Sequence, residues 1–423
     1  MKSTLYPIII TFFLVLSCSR NEVRYTADPD NDGLKLPQGF GAMVVADSIG
    51  AGRHIAVDNN GVIYVSLDQK HNGGGIAVLV DENGDGRADK ISYAGNCQGT
   101  GISIYHHYLY FATDTSVIRF RIGPDHMPEP DFETVIDGYS LEHEHASKTF
   151  AFDSSGNIYV NVGAPSNSCT VPDRAPGAKG QDPCPILENY GGIWQYSSDK
   201  LHQHHRTDGI HFATGIRNAV AITWNEYAHH LYAVMHGRDQ LYPQYKDHFS
   251  EKDNANLPGE EFLLINKGDN FGWPYCFFDP FQNKKVLAPE YGGDGKITGR
   301  CDSMKYPIMA FPAHYAPNDL LFYEQDQFPA RYRHGAFIAF HGSWNRSPEL
   351  QQGYNVVFVP FNDSLPSGKW EIFADNFAGT DSIRWPGDAR YRPCGLATGP
   401  DGSLYVVDSN AGKVWRIFYE GKK

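Results

Sequence analysis

The stretch "FATGIRNAVAITWN", residues 212–225, sets Arg217 and Asn218 side by side just ahead of an alternating apolar run. A guanidinium directed into the start of a strand needs an anion, because an unpaired charge is not tolerated in a core. Polar groups stand before other apolar runs as well: Gln98, Glu144 with His145, and Arg390 with Arg392. The string "HGSWNRS" adds Trp344, Asn345 and Arg346. Brought together, these guanidiniums, amides, imidazole and indole suit a planar polyanion better than a neutral sugar. Arginine matches carboxylates through two parallel hydrogen bonds.

Convergence of that kind requires a fold that delivers many strand starts to one place. Six segments share one pattern, an apolar alternation, a tight polar turn and a second alternation. They are "HIAVDNNGVIYVSLD" from His54, "GISIYHHYLYFAT" from Gly101 and "TFAFDSSGNIYVNVG" from Thr149, then "AVAITWNEYAHHLYAVMHG" from Ala219, "DLLFYEQDQFPARYRHGAFIAFHG" from Asp319 and "GLATGPDGSLYVVDSNAGKVWRI" from Gly395. Period-two patterning with Asn and Gly at the turns makes each a hairpin. Six of them predict an all-β, six-bladed β-propeller with insertions in blades four and five. Pairing of "FGAMVVAD" with "KVWRIFYE" closes the ring and protects its edges. Loops leading into the innermost strands then open on the mouth of the central channel, where the polar residues above would meet.

The chain has 423 residues and a formal net charge of -13, which argues against a nucleic-acid partner. "MKSTLYPIIITFFLVLSCSR" reads as an export signal whose "VLSC" resembles a lipobox, so residues 1–17 are expected to be removed and Cys18 acylated. Residues 18–36 then form a polar tether and residues 37–423 the propeller. Export, with lipid anchoring to a bacterial membrane on the periplasmic or cell-surface side, permits disulfides. Six further cysteines allow fifteen pairings. Proximity favours Cys169–Cys184 and Cys276–Cys301, leaving Cys97–Cys394 by elimination. No C-x-x-C-H occurs, so no haem is covalently attached. "DENGDGRAD" (81–89) reads as a hairpin turn or a partial calcium loop, and "LHQHHRTDGIH" as solvated histidines rather than a metal site.

Four segments, "ATGIRNAVAITWN", "KGDNFGWPYC" (267–276), "DQFPARYRHGAFIAFHGSWNRS" (326–347) and "RYRPCGLATGPDGSLYVVDSNAGKVWRI" (390–417), resemble the glucose/sorbosone dehydrogenase family, and more closely its sorbosone- and pyranose-dehydrogenase branch. The resemblance implies oxidation of an aldose, sorbosone or pyranose-like sugar by hydride transfer to pyrroloquinoline quinone (PQQ), with calcium as second cofactor. Electrons would pass to an external acceptor, a cytochrome or the quinone pool. It makes His145 the base, with Glu144 orienting it and His143 as a rival. Arg217 would lie near the reactive carbonyl, with Asn218 on a neighbouring oxygen. Arg390 and Arg392 would hold the cofactor carboxylates, and Asn345 or Arg346 would replace the family's lysine. Gly237 and Arg238 would give carbonyls to calcium, with Asp239 close by and Glu260 and Glu261 echoing an acidic pair. "VGAPSN" (162–167) lacks the family's aspartate. A calcium-dependent propeller hydrolase such as a lactonase, or a non-catalytic carbohydrate-binding propeller, are the alternatives.

Overall fold

Why six hairpins form is visible in their turns. Asp58 Oδ1 accepts hydrogen bonds from the backbone N–H groups of Asn60 and Val62, each at 2.8 Å, and Gly61 takes the left-handed φ of 85°. Asp153 repeats this with Ser155 and Asn157, both at 2.9 Å, ahead of Gly156 at φ 84°. An aspartate that caps its own turn, followed by a residue free to adopt positive φ, fixes the register of each pair.

A computed structural model describes residues 25–141 and 144–421. The expected signal, Cys18 and His143 lie outside these residues. The hairpins extend into six sheets of at least four strands, antiparallel except for the short strand Gln203–His204, which pairs in parallel with Pro128–Asp137. Their innermost strands are Gly52–Val57, Ile102–Tyr105, Thr149–Phe152, Ala221–Asn225, Pro317–Phe322 and Pro393–Thr398, and each packs beside the next until the last meets the first. The result is the six-bladed β-propeller read from the sequence, with blades numbered here in that order. Blade 6 takes its outer strand, Phe40–Ala46, from the start of the chain and pairs it with Val414–Tyr419, Phe40 opposite Tyr419. Tyr64, Tyr110, Tyr159, Tyr232 and Tyr405 occupy the second strands of blades 1, 2, 3, 4 and 6 and are buried between neighbours, with Phe337 in blade 5.

Three expectations are corrected. The large insertions sit in blades 3 and 4, not 4 and 5. A loop in blade 3 is closed by Cys169–Cys184, and one in blade 4, carrying the hairpin Cys276–Asp279 and Lys284–Leu287, by Cys276–Cys301. Arg300 joins the two loops through Asp182 at 2.5 Å. Cys97 and Cys394 are unpaired, because Cys97 packs between blades 1 and 2 while Cys394 lies on the innermost strand of blade 6, its Sγ accepting from Asn318. From Tyr25 onward the supposed tether is docked. Leu34 is buried, Arg416 lies 3.6 Å from the Tyr25 ring, Asp28 pairs with Arg87, and Asp32 accepts from Lys413 and Trp415.

Candidate active site

In each blade the start of the innermost strand lies beside the end of the second strand, as Ala221 does beside Val234 and Pro393 beside Asp408. Two turns per blade therefore open on the same face. There they enclose a cavity of about 520 Å³, within the range of about 300–1,000 Å³ usual for small-molecule sites. Blades 1 and 2 contribute Arg53, Asp68, Gln98 and Asp114, blades 3 and 4 His145, Arg217, Asn218, His236, Asp239 and Glu260, and blade 5 His314, His341 and Trp344.

Arg217 is 3% exposed, and its anion is Asp239. One of its Nη donates to Asp239 Oδ2 at 2.8 Å and to Asn167 Oδ1 at 3.1 Å, the other to the Gly237 carbonyl at 3.0 Å. Nε is buried without a partner. Burial alone would raise the Asp239 carboxyl, but Arg217, with His314 and Arg174 behind it, holds it well below the usual carboxylate range. Asn167, two residues ahead of the Cys169–Cys184 disulfide in blade 3, also accepts from Asp239 N and donates to the Asp239 carbonyl, so it fixes both members of the pair.

His145 sits at φ 54°, and its Nδ1 lies 2.5 Å from the Ala164 carbonyl. A carbonyl only accepts, so Nδ1 carries the proton and Nε2 keeps a lone pair with no partner among the described residues. Burial, then the Arg217 charge, lower the His145 pKa to about 3 and keep the ring neutral. Asn218 donates to His236 Nδ1 at 3.2 Å and accepts from Asn161. Glu260 accepts from Gly237 N at 2.8 Å, and burial pushes its carboxyl up to about 8.

Of the residues expected at the site, His145, Arg217, Asn218, Gln98, Trp344, Gly237, Asp239 and Glu260 line the cavity. Asn345 reaches it through Asp239 Oδ1 at 3.3 Å. The others do not line it. Glu144 does not orient His145, because Arg174 takes it through two hydrogen bonds of 2.9 and 3.1 Å. Arg346 is buried against the carbonyls of Ala255 and Ala313. Arg392 donates to the His341 and Gly342 carbonyls, and Arg390 is exposed on the rim against Tyr391. Glu261 pairs with Lys285 at 2.6 Å beneath the cavity. His205, read as solvated, is buried between Tyr196 OH and the Asn189 carbonyl.

The calcium expectation rested on Gly237, Arg238 and Asp239. Here the Gly237 carbonyl accepts from Arg217, one Asp239 oxygen serves both Arg217 and Arg174, and the Arg238 side chain turns away to Glu290 and Gln244. Among the described residues no three His, Cys, Asp or Glu side chains are grouped to hold a metal ion. The Gly237 carbonyl already faces one guanidinium and Asp239 Oδ2 two, which makes them poor donors for a divalent cation. A flat polycarboxylate fits better. Arg53 and Arg217 lie in blades 1 and 4, opposite in the ring, and each has a buried Nε without an acceptor.

Sequence reading missed Arg53, Asn167, Arg174, His236, His314 and His341. His314 precedes an innermost strand and obeys the rule that found Arg217. His236 and His341 follow second strands, in "AVMHG" and "IAFHG", the other half of the rim.

Comparison with known proteins agrees with this geometry. The chain is 24% identical over 431 residues to a Borreliella burgdorferi protein without an assigned activity, covering 98% of this chain and 97% of that one. It is 23% identical over 417 residues to a pyrroloquinoline quinone-dependent pyranose dehydrogenase of Coprinopsis cinerea, covering 91% of this chain but 54% of that enzyme, about half its length. The holo form of the PQQ domain of C. cinerea pyranose dehydrogenase superposes with a TM-score of 0.74 at 19% identity, over 91% of this chain and 97% of that one. The TrAA12-like family model matches residues 34–420, which takes in all six blades. The chain belongs to the TrAA12-like family.

Proposed function

We infer that the chain is an oxidoreductase, a PQQ-dependent sugar dehydrogenase acting on a CH–OH group of a pyranose or related aldose. The observation that carries this is His145, neutral and with an unshared Nε2 lone pair, in the same cavity as the rigidly held Arg217. The relatives with named activities are PQQ enzymes of this kind. Arg217 and Asn218 would hold the cofactor from blade 4, and bound quinone supplies the two-electron acceptor for hydride. His145 Nε2 takes the proton of the sugar hydroxyl as the C–H bond breaks, and the Ala164 carbonyl keeps the ring in the accepting tautomer. Trp344, 47% exposed at the mouth, presents an indole to the apolar face of a sugar ring, and Gln98 and Asp114 present groups to its hydroxyls.

Two finer parts of the reading rest on sequence. Electrons pass to an external acceptor, a cytochrome or the quinone pool, since no haem-attachment motif is present. The chain is exported and held at a membrane through acylated Cys18. A hydrolase would need carboxylates converging on a metal, whereas Asp239 is held by two guanidiniums. The test is dye-linked oxidation of a pyranose panel by purified protein with PQQ, with and without added calcium. Turnover that requires PQQ is expected. Lactone hydrolysis without quinone, or sugar binding without turnover, would overturn the reading.

A further inference from the structure

The two guanidiniums of the cavity are not equivalent. Arg217 has three acceptors, two of them on side chains. Arg53, at the start of the innermost strand of blade 1, makes no hydrogen bond to any described residue, and its Nε is buried. Its nearest acid is Asp68, at 3.8 Å from Nε, beyond hydrogen-bond reach. The Arg53 side chain is only 15% exposed, whereas that of Asp68 is 54% exposed and faces solvent. A guanidinium carries five donors in a fixed fork, and leaving the buried Nε unused is unfavourable. The neighbouring arginines have no such deficit, since Arg392 donates to two carbonyls and Arg346 to several acceptors. The Arg53 charge also bears on His236, His341 and Arg392, which places it toward blades 4, 5 and 6 rather than out in solvent.

We propose that Arg53 is the anchoring residue for a carboxylate of the planar polyanion, on the wall opposite Arg217. This deepens the PQQ reading and rests on it. It moves to blade 1 the task that the family resemblance implied for Arg390 and Arg392. Asp68 holds Arg53 weakly while the cavity is free and swings into solvent when a better-placed carboxylate arrives. No covalent step is involved.

The experiment is a fluorescence titration of the purified full chain with PQQ, read as Kd and as the slope of log Kd against log salt. Arg53→Gln is expected to weaken binding about ten- to a hundred-fold and to flatten the salt slope. Arg53→Lys should fall between, because it keeps the charge and loses the fork. Arg390→Gln should stay within about twofold of the parent. A folded Arg53→Gln chain with the parent's Kd and salt slope overturns the proposal while leaving the PQQ reading intact. A parent that binds no PQQ overturns both. If circular dichroism shows that Arg53→Gln does not fold, Asp68→Asn decides. Binding a few-fold tighter supports the anchor, and unchanged or weaker binding overturns it.

Discussion

Replacing His145 with Asn separates its chemistry from its effect on stability. Asn tolerates the left-handed backbone at φ 54° and can still donate toward Ala164, but it does not titrate. In the folded protein His145 has a pKa of about 3, while in the unfolded chain it has the ordinary 6.5. Between these values the unfolded state binds the extra proton, so stability rises with pH there. The neutral imidazole's contribution is complete above pH 6.5 and is lost as pH falls toward 3. At pH 5, about 1.5 units below the unfolded value and at about 1.4 kcal/mol per unit, the loss is about 2 kcal/mol. Urea unfolding of the parent and His145→Asn at pH 7 and pH 5 measures it as a double difference, in which other titrating groups cancel. The variant should lose about 2 kcal/mol less than the parent on acidification. Its PQQ-dependent turnover should fall about a hundred-fold or more, as for a lost general base. Equal acid losses in the two proteins would refute the buried neutral imidazole, and parental turnover would refute its role as base.

Other perturbations test the frame around it. Asp239→Ala leaves Arg217 buried without its carboxylate and should cost about 3–5 kcal/mol in urea unfolding, as broken buried pairs do. Glu260 works in the opposite sense to His145. Its carboxyl is raised to about 8, so ionising it above pH 4.5 costs stability in the parent, and Glu260→Gln should gain about 3 kcal/mol relative to the parent between pH 5 and pH 8. Removing Cys169–Cys184, which closes a 15-residue separation, should cost about 3 kcal/mol. Through Asn167 it should also weaken PQQ binding, measured by the same titration.

The architecture was readable because each blade writes its own turn. Asp58, Asp153 and Asp401 announce the hairpins, and the apolar alternation around them has a single period. Site residues were readable where they directly precede an innermost strand, as His145 and Arg217 do. Arg390 and Arg392 obey the same spacing, yet the first remains on the exposed rim and the second is consumed by the carbonyls of blade 5. Spacing fixes where a Cα lies, while the side chain's direction depends on partners from other blades that are remote in sequence. Asn167 illustrates the limit, since its importance arises from Arg217 and Asp239, and nothing in "VGAPSN" declares them. Cys97 and Cys394 failed for a related reason: counting to an even number says nothing about which layers the thiols occupy.

The pairing of Phe40 with Tyr419 has a consequence for how the molecule is made. Five blades can assemble as their segments emerge in order, but the sixth waits for the last few dozen residues to be synthesised. Joining two such distant segments costs only about 3 kcal/mol more than closing a ten-residue hairpin, because loop entropy grows logarithmically. The delay is therefore one of timing rather than of energy. Until the C-terminal strands arrive, the outer strand of the seam, with the docked segment ahead of it, has no partner, so a chain stopped short near residue 400 would keep an open wedge between blades 5 and 1.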